Sequence, residues 1–549
     1  MTTSMRPRAS RRRPSTLAGG VALALGLVAG GCQELTLTNP NNPDRARALE
    51  QPASVEALAA SSFRAWWPNA HDEAPVWALS TMADEFTAAF FDFGILTASS
   101  EPRVAYDNSQ TYADRFVNQD PWYSLYASLS QANDVLVALD SGLTITNGTQ
   151  NDTPRTRAVA KLVQGLSHGY LALYFDRAWI ITERTRTDTL TVPGTTRLRG
   201  EPAGYRAVMD TALSELAEAA RIAQGANFTL PEGSWLFQSL SAADLARLAR
   251  SYAARLRAQV ARTRDERQAV AWTQVIADVD AGMTRDFAPI AVPGVFFNDF
   301  TRVAARTRVP TQPGDFARVD YMTVGPADST GRFVAWVRTP VSARTRFQLV
   351  TRDRRIHPAG NPGADGKYFG YTTSQRFQDA RGTYHQSNYW YRRQGTGNTW
   401  ENGPQLALTV DELQLLKAEG LLRLGRAAEA VPLVNRTRVR NGELPPVTLE
   451  GPPDEAGCVP RKLDGRCGSL WDALRYEKRV ELIGVHPAGA YLDARGWQTL
   501  ARDTPVHLPV PGRELATLQL DNYTFGGGGA GSAPAPEPEQ CPVALPRCS

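Results

Sequence analysis

From about residue 52 to 285, apolar side chains return at alternating spacings of three and four. Trp122, Leu125, Leu129, Ala132, Leu136 and Leu139 form one series, and Val159, Leu162, Leu166, Tyr170 and Leu173 a second. Leu245, Leu248, Tyr252, Leu256 and Val260 form a third. Such spacing keeps side chains on one face of a helix, so the pattern predicts successive amphipathic helices. Segments rich in Gly, Asn, Thr and Pro, Ser141–Pro154 and Gln224–Ser234, separate them.

Over residues 286–404 the periodicity fades while Pro, Gly, Thr and aromatic residues rise. Phe333–Val337 and Phe347–Val350 read there as short strands within irregular structure, too long to be a mere linker. Helices return at 409–440, with Leu413, Leu416, Gly420 and Leu424 on one face and a turn at Gly425, and again at 469–484. The pair around Gly425 has the form of a tetratricopeptide-type helix-turn-helix, with Pro432 predicting a kink or late start in its second helix. The expected fold is therefore mainly α, with helix pairs and an inserted irregular region. Residues 526–549 read as a flexible Gly/Pro tail.

The N-terminus changes the picture of charge and location. Arg6, Arg8, Arg11, Arg12 and Arg13 precede an apolar run, Leu17–Gly30, which is too short to span a bilayer needing about 20 residues. Ala29, Gly30 and Gly31 then lead to Cys32, as in a lipoprotein signal whose Cys is acylated. Residues 1–31 read as signal peptide and 32–50 as a polar tether, leaving 51–525 as the body. Without residues 1–31 the formal charge falls from +4 to −1, so nothing calls for a nucleic-acid partner. In an exported chain, Cys458, Cys467, Cys541 and Cys548 read as two local disulfides, Cys458–Cys467 and Cys541–Cys548. A four-Cys metal site is the rival, but neither pair has the tight spacing that zinc favours.

Several segments together resemble the SusD/RagB family of outer-membrane lipoproteins. Trp122–Tyr126 followed by Ala132-Asn133 is similar to its Tyr-containing helix, and Ala158–Tyr174 to the next one, with Ser167-His168-Gly169 replacing the usual Arg-Ala. The most specific match runs from Ala418 to Gly442: Ala418-Glu419-Gly420, Leu424-Gly425, Ala430, Asn435, Arg438, Arg440 and Gly442. Tyr476–Leu482 resembles the Glu-Arg-x-x-Glu-Leu helix, followed by an altered Gly484–Pro487, then Asp493 and Arg495. Leu508–Leu515 resembles the closing Ile-Pro-x-x-Glu-Leu. The resemblance implies a helical body of tetratricopeptide-like pairs and an inserted region forming much of the ligand face. It also implies delivery of oligosaccharides or peptides to a SusC-like TonB-dependent porin, without catalysis or cofactor, from a lipid anchor at the cell surface.

Such binding needs rings that stack and polar groups that bond hydroxyls or amides. Two clusters fit: Trp66, Trp67, Asn69, His71, Asp72 and Trp77; and, in the irregular region, Phe296, Phe297, Asn298, Asp299, Trp336, Tyr389, Trp390, Tyr391, Arg392, Arg393 and Trp400. For any single ring, core packing is the alternative. Signals for an enzyme are thin. Gly165–Gly169 fits the Gly-x-Ser-x-Gly pattern around Ser167, but it lies inside a helical stripe, where the glycines would let another helix approach. Asp84-Glu85 has no identifiable carboxylate partner for glycoside hydrolysis. The six His show no metal-binding spacing. An envelope scaffold and a lipid-anchored hydrolase of glycans or peptides are the alternative functions.

Overall fold

A computed structural model describes residues 45–536, apart from 73, 89–93, 186–200, 306–316, 374–386, 395–398 and 456. Two units are distinguished. In residues 1–48 the described part is the start of a short helix, Arg45–Leu49; residues 49–549 hold all that follows. Cys32, Cys541 and Cys548, and with them the lipidation and the second disulfide, lie outside the described residues.

The amphipathic series form long helices: α1 (Pro52–Trp66), α2 (Phe116–Asp140), α3 (Thr153–Tyr174), α4 (Tyr205–Gln224) and α5 (Ala242–Gln259). A capping box starts α5: Asp244 N donates to Ser241 Oγ, and Ser241 N donates to the Asp244 carboxylate. From Ala158 to Tyr174 only Lys161 escapes full burial, because α3 is covered by α1 and α2 and also by α4. A Cβ at Gly165 would stand 2.8 Å from Leu216 Cγ and 3.0 Å from the Ala212 carbonyl oxygen, so this glycine sets how closely α4 approaches.

The stack continues through α6 (Trp272–Asp280), which packs on α5 and then on α7 (Val410–Arg423), across the whole of the intervening residues 281–409. Gly420 of α7 faces Trp272 and Ile276 at 3.1–3.3 Å from its would-be Cβ. Gly425, at φ 74°, turns the chain into α8 (Ala427–Arg440), which starts on time despite Pro432. The helix α9 (Leu470–Leu482) packs on α7 and α8, and α10 (Gly489–Trp497) follows it.

Buried ions join these helices. Arg267 forms a two-pronged pair with Glu419 of α7 at 2.9 and 2.8 Å and reaches Asp493 of α10 at 2.9 Å. Lys478 of α9 bonds the same two carboxylates at 3.0 and 2.7 Å, and Trp497 Nε1 donates to Glu419 at 2.9 Å. Arg423 also reaches Glu419 at 3.3 Å, so three cations surround two anions where water cannot. An adjoining face of α9 grips the insertion. Arg355 bonds Asp353 beside it, Glu477 at 2.6 Å and Glu481 at 2.8 Å, while Tyr476 Oη donates to Asp353 at 2.7 Å. Gly442 makes room for this guanidinium, 3.0 Å from its would-be Cβ.

The insertion departs from expectation in two places. Phe333–Val337 is helical, within Arg332–Arg338, because the buried Phe333, Trp336 and Val337 are spaced three and four apart and Gly331 supplies the left-handed entry at φ 80°. Phe347–Val350 is extended but joins no ladder; Phe347 N and Leu349 N instead donate to the hydroxyls of Tyr321 and Tyr389 at 2.7 and 2.9 Å. The observed strand pairs are short, Phe86–Ala88 with Ala317–Val319 and Phe369–Tyr371 with Tyr389–Tyr391. The Gly-rich run is no flexible tail through residue 536. Gly527 N donates to Asp503 O at 2.8 Å and Val506 N to Gly531 O at 2.9 Å, and positive φ at Gly526, Gly527, Gly528 and Gly531 permits this close lie.

Helix propensity alone favours Gly165→Ala by about 1 kcal/mol. Crowding against Leu216 and the Ala212 carbonyl reverses the sign. Urea unfolding should show Gly165→Ala less stable by about 1–3 kcal/mol; a gain in stability would contradict the packing described.

Candidate ligand-binding site

The structure places most of the expected ring clusters in the core. Trp66 (0 % exposed) meets Tyr170 edge-on at 5.0 Å, and Trp77 (1 %) stacks on Phe300 at 4.4 Å. Trp67 stacks on His71 at 3.9 Å and donates Nε1 to Phe297 O at 2.8 Å. Asn69 bonds Trp66 O and Ser124, and Asn298 Nδ2 lies 3.5 Å from His71 Nδ1. The fold therefore does bring Phe296, Phe297 and Asn298 to Trp67 and His71, but as packing. Trp336 belongs elsewhere, against Tyr321 at 4.9 Å with Arg344 over its ring. Tyr389, Trp390 and Tyr391 alternate along a strand, yet all three are buried because both faces of the strand pair are covered. Trp390 lies directly over Gly370. Rings sealed in this way offer no face to a ligand, which corrects their assignment as ligand contacts. Of the expected residues, Asp72, Phe297 and Arg392 remain half-exposed, and Arg392 donates to Gly366 O at 2.8 Å. The side chain of Trp400 lies outside what is described.

The Gly-x-Ser-x-Gly segment is likewise structural. Ser167 is fully buried in α3 and shares a hydrogen bond with Ser128 of α2 at 2.9 Å, while His168 faces Glu215 of α4 at 2.8 Å. Serine and imidazole thus serve different helices. Asp84 is held by Arg103 at 2.7 Å.

An open site lies instead against α9. A cleft of about 1100 Å³, counting the part that opens to solvent, runs between α9 and α10 on one side and the insertion on the other. On α9 it is lined by Arg475, Arg479 and Leu482, spaced four and three apart on one helical face. On α10 the lining includes Asp493, Ala494 and Trp497; the insertion supplies Met322, Thr323, Pro326 and Phe333. Glu85 and Pro460–Leu463 complete it. The latter segment sits inside the loop closed by the disulfide Cys458–Cys467, as the sequence predicted, and is docked on the insertion by Arg461 N donating to Pro326 O at 2.7 Å.

The charges in the cleft are unequally satisfied. Lys478 is neutralised by Glu419 and Asp493. Arg479 donates to Thr323 Oγ1 at 3.1 Å and to the Ala83 carbonyl, joining α9 to the segment that carries Glu85. Glu85 accepts from Ser80 Oγ at 2.5 Å, and burial pushes its carboxyl up to about 7. The lining thus combines an apolar wall with a few converging polar groups, the usual make-up of a small-ligand site. Sequence reasoning missed it because its polar residues sit in a motif that looks purely architectural; the one available signal was the cationic pair four apart, Arg475 and Arg479.

No family model matches the sequence, and no curated protein matches it either. Solved structures do match. A SusD superfamily protein from Parabacteroides distasonis ATCC 8503 superposes with TM-score 0.56 at 13% identity, covering 85% of this chain and 98% of its own. One from Bacteroides vulgatus ATCC 8482 gives 0.54 at 13%, covering 87% and 99%, and one from Bacteroides thetaiotaomicron VPI-5482 gives 0.53 at 13%, covering 86% and 96%. The protein therefore has the SusD-like fold, mainly α, with the helical body and inserted region expected from the resemblance.

Since folding favours the neutral carboxyl of Glu85, its stabilising share is present below the ordinary value of 4.5 and is lost as pH rises through about 7. Between pH 5 and pH 8, urea unfolding of the native protein should lose about 2–3 kcal/mol relative to Glu85→Gln. Parallel pH profiles would show that the carboxyl is already ionised in the fold.

Proposed function

We propose that this protein is a nutrient-binding lipoprotein, anchored through Cys32 in the outer membrane and probing the medium with the cleft against α9. It binds oligosaccharides or peptides and hands them to a SusC-like TonB-dependent transporter, and it performs no chemistry on them. The observation that carries this reading is the fold: helix pairs and insertion align with SusD superfamily structures over nearly their whole lengths. The buried, divided placement of Ser167 and His168 supports a binding role over a hydrolase. Burial of both aromatic clusters favours a second reading, an envelope scaffold whose helix pairs bind other proteins and no nutrient.

Two measurements test the reading. Fractionated membranes should hold the protein in the outer membrane, labelled by an alkyne fatty acid, and Cys32→Ala should abolish the label and release the protein. An array of oligosaccharides and short peptides should show saturable binding by the purified chain. Silence of the whole array, with the anchor intact, would favour the scaffold.

A further inference from the structure

Among the cations of the cleft, Arg475 stands apart. It lies half-buried on α9 against Trp471 and Trp497, whose ring centres lie 5.2 and 5.7 Å from its guanidinium carbon. Ring faces hold a cation in place but give its N–H groups nothing to bond. Among the described residues the buried Nε has no hydrogen-bond partner, and the nearest carboxylate, Asp472, is 4.0 Å from Nη1. Arg423, bound to Glu419 at 3.3 Å, lies over the same Trp471 ring and adds positive charge nearby. Burial, resisted only in part by Asp472, brings the Arg475 guanidinium down to about 10. A buried guanidinium donor left idle is costly unless an anion completes the group.

The surroundings narrow that anion. One guanidinium short of a close partner calls for a single negative charge, and Asp472, 4.0 Å from the same guanidinium, disfavours a second one on the ligand. A planar carboxylate matches the guanidinium fork. Met322, Pro326, Phe333, Leu463 and Leu482 supply an apolar part of the wall that suits a hydrophobic side chain. We propose that the cleft binds the free C-terminus of a short peptide, with Arg475 pairing its carboxylate and the apolar wall receiving its last side chain. This rests on the nutrient-binding reading and chooses peptides within it.

Calorimetric titration of the purified full chain with Ala-Ala-Phe, its C-terminal amide and trigalacturonate tests the proposal. The free acid should bind, and the amide about tenfold or more weaker. Arg475→Gln should weaken the acid by the same factor and leave the amide unchanged, with Arg475→Lys in between. The acid-to-amide comparison alters no residue, so it stands even if a variant folds poorly. Equal binding of acid and amide, an acid affinity indifferent to Arg475→Gln, binding of trigalacturonate alone, or no binding of either peptide would overturn the proposal. The nutrient-binding reading would survive each of these so long as other members of the array bind.

Discussion

The structure depends on α9 being held by two buried ionic clusters at once. Lys478 on one face completes the cluster of Arg267, Glu419 and Asp493 that ties α7 and α10 to the helical stack. Glu477 and Glu481 on an adjoining face bind Arg355 of the insertion. Ions buried this deeply are stable only while every charge keeps its partner, since removing one strands the others in a medium that cannot solvate them. The constraint makes the position of α9 close to all-or-none. It also fixes the cleft, because Arg475, Arg479 and Leu482 project from the same helix.

This explains what the family-like motifs do. Glu419 is the hub of the first cluster, Gly420 lets α7 approach Trp272, Asn435 exchanges hydrogen bonds with the backbone of Val447, and Gly442 leaves space for Arg355. Arg495 bonds the carbonyls of Leu173, Gln259 and Val506, and Leu508 N donates to Tyr174 O, closing the chain onto α3. The residues that carry the resemblance are those that build the stack. They also contribute Tyr476, Lys478, Arg479, Leu482 and Asp493 to the lining of the cleft.

The helices were legible because one-sided burial imposes a period of three and four, as in Trp122–Leu139 and Val159–Leu173. The same rule would have revealed the helix at Phe333–Val337, but a run of five residues with three bulky apolar ones reads equally well as a strand. The ring clusters misled for a related reason. An aromatic beside Asn or Asp looks like a sugar platform in one dimension, yet Trp67 and Asn69 spend their donors within the core and His71 stacks on Trp67 there. The cleft was illegible because it is made between distant segments, Glu85, Met322–Phe333, Pro460–Leu463 and α9–α10, whose meeting depends on tertiary packing. The Gly-rich run read as a flexible tail because composition does not show that Asp503, Thr504 and Val506 offer it backbone partners.

The buried charges act as one unit in seating the helices. A double-mutant cycle on Arg267→Met and Glu419→Leu, followed by urea unfolding, tests it most directly. Each single change should cost about 3–5 kcal/mol, and the double change should cost less than the sum by about 2 kcal/mol or more. Losses that add to within about 0.5 kcal/mol would show that the two side chains contribute independently, and that the helices are seated by apolar packing alone.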